Sequence, residues 1–289
     1  MADDDRDPPD VRGLTRRAFV AASLAAGFAA AVAPEVGHAT VTTDADGLEA
    51  GAVEIPTAGD EKTPAYRAVP NGADRRPIVL VVQEIFGVHE HIRDVCRRLA
   101  KRGYFAVATE LFARQGDVSK MTDVQEIVSK VVAKVPDDQV MKDLDATVDW
   151  AVKSGRADVA KLGITGFCWG GRIVWLYAAH SARLKAGVAW YGRLATPPDA
   201  LHPKGPLDVA ARLKAPVLGL YGGADTGIPM KDVEAMRSAL AAAKSPSEIV
   251  VYPEAGHAFF ADYRPSYRPD DAADGWKRML AWLERFGVA

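Results

Sequence analysis

The chain is poor in cysteine, in net charge and in long apolar runs, and each shortage closes off a class of protein. Two cysteines in 289 residues are too few for a disulfide scaffold. A net charge of -2 gives no electrostatic footprint for nucleic acid or an anionic membrane surface, so no nucleic-acid partner is expected. The longest weakly apolar run, Ala21 to Ala33, is short and alanine-rich, well below the ~20 strongly apolar residues of a membrane-crossing helix. No repeat of solenoid or propeller length is present. What remains is a chain with 48% hydrophobic residues, enough for one large core. At roughly 250 residues beyond the leader, a single α/β domain suits it better than two.

The first forty residues differ in kind from the rest. Met1 to Asp10 is acidic and contains proline, which reads as a disordered start. Arg16-Arg17 then precedes the alanine-rich run, Pro34 breaks it, and small residues lead to Gly37-His38-Ala39. This order reads as a twin-arginine export signal. It predicts cleavage after Ala39, the twin-arginine translocation machinery as a partner, and an exported protein, periplasmic or extracellular, with no membrane attachment once cleaved. Residues 40–51 read as a linker and 52–289 as one domain.

Within that domain the apolar pattern alternates between two periods. Ala52 to Pro56 and Ala65 to Val69 predict a short antiparallel hairpin. Pro77 to Val82 is a nearly continuous β-branched run, as expected of a strand buried on both faces of a parallel sheet. A helix is predicted from His89 to Arg102 and a strand over Phe105 to Ala108. Helices follow over Ser119 to Lys134 and Asp137 to Ser154, then a strand over Leu162 to Thr165. Further strands are predicted at Ala186 to Trp190, Val217 to Tyr221 and Glu248 to Tyr252, with helices at Met230 to Ala243 and Asp271 to Phe286. Such alternation predicts a mostly parallel sheet with helices on both faces, of the α/β-hydrolase kind. Ligands then lie beyond the carboxyl ends of the strands.

Gly166-Phe167-Cys168-Trp169-Gly170-Gly171 joins a predicted strand to a predicted helix. That is the setting of a nucleophile elbow, here with cysteine at the place serine usually holds. A thiol at a helix N-terminus is activated toward the thiolate. Asp225 and His257 each follow a later strand, in the chain order nucleophile, acid, histidine. The chemistry assigned is attack by Cys168, proton transfer by His257 and orientation of the imidazole by Asp225. The backbone N–H groups of Trp169 and Ile85 are the expected oxyanion hole. Glu84, after the Ile78 to Val82 strand, would place a carboxylate before the thiol, with Arg172 a possible ion-pair partner. Cys96 falls on the inward face of its helix, beside Ile92, Val95 and Leu99, and reads as core.

Five stretches together resemble the dienelactone hydrolase family, also described as carboxymethylenebutenolidases, within the α/β-hydrolase superfamily. They are Gln83-Glu84-Ile85-Phe86-Gly87-Val88, Glu110-Leu111-Phe112-Ala113-Arg114, the cysteine motif above, Tyr221-Gly222-Gly223-Ala224-Asp225 and Gly256-His257-Ala258-Phe259-Phe260. The similarity spans Val53 to Phe286. It implies a Cys–His–Asp triad that hydrolyses an enol-lactone without metal or organic cofactor. It also implies that Glu84 touches the resting thiol until substrate displaces it, and that Arg114 holds the substrate carboxylate. One place departs from the family pattern: Ala261 stands four residues after the histidine, where well-known members carry a second arginine. Arg264 or Arg268 would have to reach in from the following loop. Phe86, Tyr191 and Phe259, with Trp190, are expected to supply apolar walls. The expected function is hydrolysis of a lactone or small carboxylate-bearing ester. The alternatives are an exported esterase of different range, or a non-hydrolytic thiol redox or ligand-binding protein with Cys96 as resolving partner.

Overall fold

β-branched and small residues dominate the central strands, and they assemble into one eight-stranded sheet in the order β1-β2-β4-β3-β5-β6-β7-β8. The computed structural model describes residues 41–57 and 61–289; the acidic start, the twin-arginine segment and its cleavage site lie outside the described residues. β1 (Leu48–Pro56) and β2 (Lys62–Pro70) form the expected antiparallel hairpin, and β2 continues antiparallel onto β4 (Phe105–Thr109). β3 (Arg76–Val82), β5 (Ala157–Phe167), β6 (Leu184–Trp190), β7 (Val217–Gly222) and β8 (Glu248–Tyr252) run parallel to one another and to β4. The sheet is therefore mostly parallel, of the α/β-hydrolase kind, with an antiparallel edge.

Helices of eight or more residues cover the sheet: α1 (Glu90–Ala100), α2 (Asp137–Lys153), α3 (Trp169–His180), α4 (Met230–Ala242) and α5 (Pro269–Arg285). α1 buries Ile92, Val95, Cys96 and Leu99 on one face, as their i, i+3, i+4, i+7 spacing requires. The Cys96 thiol is fully buried, and burial pushes its pKa up.

Two boundaries differ from the sequence reading. Residues 40–51 are not a loose linker throughout, because β1 starts at Leu48 and the segment before it is tied to α1. Thr43 N–H donates to Asp94 (2.5 Å), Arg97 Nε donates to the Thr43 carbonyl (2.6 Å) and Lys101 pairs with Asp44. The helix expected over 119–134 is broken into a 3-10 turn at Val118–Lys120, one α-turn at Val124–Glu126, a π-turn at Ile127–Val131 and a 3-10 turn at Val132–Lys134. β-branched valines at 128, 131 and 132 disfavour a regular helix. The widened turn also lets the segment be apolar on two sides: Ile127 and Val131 enter the core, while Val128, Val132 and Ala133 line a cavity.

Candidate active site

Cys168 sits where β5 ends and α3 begins, with φ 55° and ψ -113°. A side chain in that left-handed region is strained and persists only when its surroundings fix it. Here they do. Cys168 N–H donates to the Trp190 carbonyl at 3.0 Å, and its own carbonyl accepts from Gly171 N–H at 3.0 Å. Gly170 lets α3 drive against the end of β3, since a Cβ there would lie 2.5 Å from the Val82 carbonyl oxygen. The turn thus presents the sulfur at a helix N-terminus, beside the loop that carries Ile85.

His257 and Asp225 come from the turns after β8 and β7 and are both buried. His257 Nδ1 donates to Asp225 Oδ2 at 2.7 Å, and Asp225 Oδ1 accepts from Gly227 N–H at 2.8 Å. The Cys168 thiol lies close enough to the imidazole to act on its charge. Burial alone would lower the imidazole pKa, but the Cys168 and Asp225 charges and hydrogen bonds outweigh it and push it up to about 10. The fold therefore brings Cys168, His257 and Asp225 into one chain of contacts, with the histidine cationic at neutral pH.

Glu84 is buried in the turn after β3. Its Oε2 accepts from Tyr263 OH at 2.6 Å and from His89 Nε2 at 3.1 Å. Burial raises a carboxyl pKa, yet the His89 hydrogen bond and the charges of His89, His91 and Arg264 hold it down at about 2. The partner suggested by the sequence, Arg172, is elsewhere: it forms a two-pronged pair with Asp137 at 2.6 and 2.8 Å and donates to the Lys204 carbonyl. Behind His89, His91 Nδ1 bonds Asp262 Oδ1 at 3.1 Å, and Arg98 bridges Asp262 to Asp94. Tyr191 OH is buried without a hydrogen-bond partner among the described residues. Burial and the nearby Glu84 charge keep that phenol protonated.

A cavity of about 280 Å³ opens over Cys168. Ile85 and Trp169 flank the thiol, as expected of residues whose N–H groups would face a reacting carbonyl, and Val128, Val132 and Ala133 form the apolar roof. The opposite wall is the loop 193–202, with Arg193, Thr196 and Pro197. Roof and wall are stitched together: Asp137 N–H donates to the Leu201 carbonyl (3.0 Å), His202 Nε2 donates to the Val135 carbonyl (3.0 Å) and Arg172 grips Asp137.

The structure does not bring every expected residue to this cavity. Arg114 pairs with Asp143 on α2, donates to Thr57 Oγ1 (3.0 Å) and lies near Glu61, so it ties the hairpin to α2 and is not in the cavity wall. Phe86 lines a neighbouring depression with His89, and the Arg264 guanidinium lies 5.5 Å from its ring centre. Tyr191 and Phe259 are fully buried behind the histidine, with the Tyr191 and His257 ring centres 5.2 Å apart. Arg264 is buried beside Tyr263 and Glu84, whereas Arg268 pairs with Asp271 at the start of α5. Cys96 and Cys168 are both unbridged.

Four residues escaped the sequence reading: Arg193, His89, Tyr263 and Asp137. Arg193 was within reach of it, because it follows β6 just as Asp225 follows β7. Tyr263 and Asp137 carry no local signal, since their partners Glu84 and Arg172 lie 179 and 35 positions away.

Comparison with known proteins matches this architecture. Residues 63–287 match the dienelactone hydrolase family. A Methylorubrum extorquens protein provisionally named carboxymethylenebutenolidase is 64% identical over 276 residues, 96% of this chain and 94% of that one. A Bradyrhizobium protein named as a 2-oxo-3-(5-oxofuran-2-ylidene)propanoate lactonase, also provisionally, is 32% identical, covering 80% of this chain and 92% of its own length. The crystal structure of a provisionally assigned dienelactone hydrolase from Klebsiella pneumoniae superposes with a TM-score of 0.80 at 57% identity, covering 83% of this chain and 99% of that one.

Proposed function

The chain belongs to the dienelactone hydrolase family, and on that footing we propose that it hydrolyses a lactone or small carboxylate-bearing ester through a thioester on Cys168. The observation that supports this most is the Cys168–His257–Asp225 arrangement, whose cysteine lines a cavity and whose imidazole is held cationic beside thiol and carboxylate.

Cys168 sulfur attacks the carbonyl carbon as thiolate, its proton held by His257. The tetrahedral oxyanion is met by the N–H groups of Trp169 and Ile85; Trp169 is the first residue of α3, where a helix N–H has no intrahelical acceptor. The C–O bond then breaks, and His257 passes its proton to the departing oxygen. A water deprotonated by His257 attacks the thioester carbonyl, the C–S bond breaks to return the Cys168 thiolate beside the protonated imidazole, and the carboxylic acid released loses its proton to solvent. Asp225 keeps the ring oriented throughout. Glu84, held by Tyr263 and His89, keeps a fixed negative charge in the loop that carries Ile85.

The enzyme acts outside the cytoplasm in this reading, delivered folded by the twin-arginine route that Arg16-Arg17 and the following run support. The chemistry is tested with purified Cys168→Ala. It is expected to lose turnover of p-nitrophenyl acetate and of carboxylate-bearing lactones, and undiminished turnover would end the proposal.

A further inference from the structure

Arg193 is the cation closest in placement to what a carboxylate-bearing substrate needs, and the fold goes to some length to put it there. The chain leaves β6 through Tyr191, whose φ is 37°, and Gly192. Gly192 presses on the first turn of α3: a Cβ on it would lie 2.2 Å from the Gly171 carbonyl carbon and 2.3 Å from Arg172 nitrogen. Tyr191 N–H is fixed to the Leu220 carbonyl at 2.8 Å. The next residue is therefore pinned against the elbow that carries Cys168. Arg193 lines the Cys168 cavity and also the adjoining one, of about 470 Å³, on whose far side lie Lys231 and Asp232. It stands at the junction of the two.

We propose that Arg193 is the residue that selects an anionic substrate, gripping a carboxylate within the Cys168 cavity that it lines. This rests on the hydrolase reading above. The proposal moves carboxylate recognition from Arg114, which is tied to Asp143, and from the position of Ala261 to the loop after β6. Burial disfavours the Arg193 charge, and the neighbouring Asp225 and Asp232 carboxylates act against that. An arriving carboxylate adds a partner of the same kind, and the planar fork matches it with two parallel hydrogen bonds. Val128, Val132 and Ile85, which line the same cavity, would enclose the apolar body.

The test separates binding from turnover. In Cys168→Ala, a lactone bearing a free carboxylate and the methyl ester of that lactone are titrated by calorimetry, with and without Arg193→Gln. The expected result is a loss of about 30-fold in affinity for the acid, under threefold for the methyl ester, and partial recovery of the acid with Arg193→Lys. In the Cys168 enzyme, KM for the acid rises likewise and by a larger factor than KM for the neutral ester. Equal losses for acid and ester, or none for either, would overturn the anchor. Circular dichroism and a melting curve on Arg193→Lys exclude misfolding as the cause. A wild-type enzyme that binds the acid selectively yet turns over neither compound contradicts the hydrolase reading and leaves the anchor standing.

Discussion

Tyr263 donates a 2.6 Å hydrogen bond to the Glu84 carboxylate across 179 positions of sequence. The bond joins the loop after His257 to the loop that carries Ile85, so one phenol fixes both sides of the thiol's surroundings. Phenol and imidazole together stabilise the ionised carboxylate, and this has a consequence for acid stability. Glu84 has its pKa lowered from 4.5 to about 2. A depressed carboxyl contributes stability that is fully present above its unfolded pKa and lost as pH falls through the folded one. Unfolding by denaturant should therefore show Glu84→Gln weaker than wild type at pH 7 by about 3 kcal/mol, from a shift of that size at 1.36 kcal/mol per unit. The gap should close between pH 4.5 and 2. A gap independent of pH would contradict the ionised, clamped carboxylate.

The imidazole carries a second pH signature. Its pKa of about 10 comes from Cys168 and Asp225 acting against burial. A group raised in this way keeps its proton up to that pH, so kcat/KM should hold through neutrality and fall as pH approaches 10, where the acid that protonates the leaving oxygen is lost. Asp225→Asn removes one of the two supports. The alkaline fall should then move to lower pH, and kcat should drop about 10³- to 10⁴-fold, as for other triads that lose the orienting carboxylate. An unmoved alkaline limb in the variant would show that Asp225 does not hold the proton.

The architecture was largely legible in the sequence because its signals are local. The β-branched run at Ile78–Val82, the hairpin and the order of strands and helices follow from periodicity, and the glycine-flanked Cys168 follows from turn chemistry. Asp225 and His257 each follow a strand, so the sequence alone places them at the same end of the sheet as Cys168. What escaped detection depends on distance along the chain or on competing side-chain preferences. The helix over 119–134 failed because its valines are asked to face two apolar surfaces, the core and the cavity roof. Arg114 was assigned by family pattern to the substrate, while its position beside Asp143, 29 positions away, is a tertiary fact that spacing could not supply. The Arg172–Glu84 pairing failed for the same reason: Asp137 offers both carboxylate oxygens to Arg172 in the geometry a guanidinium prefers.

The export proposal gives an independent prediction, since a twin arginine before an apolar run is the feature a translocation machinery of that kind reads. Expressed in a host with that pathway, the wild-type chain should reach the periplasm shortened by about 39 residues. Lysine at both Arg16 and Arg17 should leave full-length protein in the cytoplasm. Wild type retained at full length in the cytoplasm would remove export from the account.

The central claim is that Cys168 carries the acyl group. Peptide mass spectrometry after acid quenching of the enzyme mixed with excess p-nitrophenyl acetate reads this directly. An acetyl adduct on the peptide containing Cys168, decaying at the turnover rate and absent from Cys168→Ala, is the predicted result. Turnover at the wild-type rate with no adduct at Cys168, or with the adduct on another side chain, would contradict it.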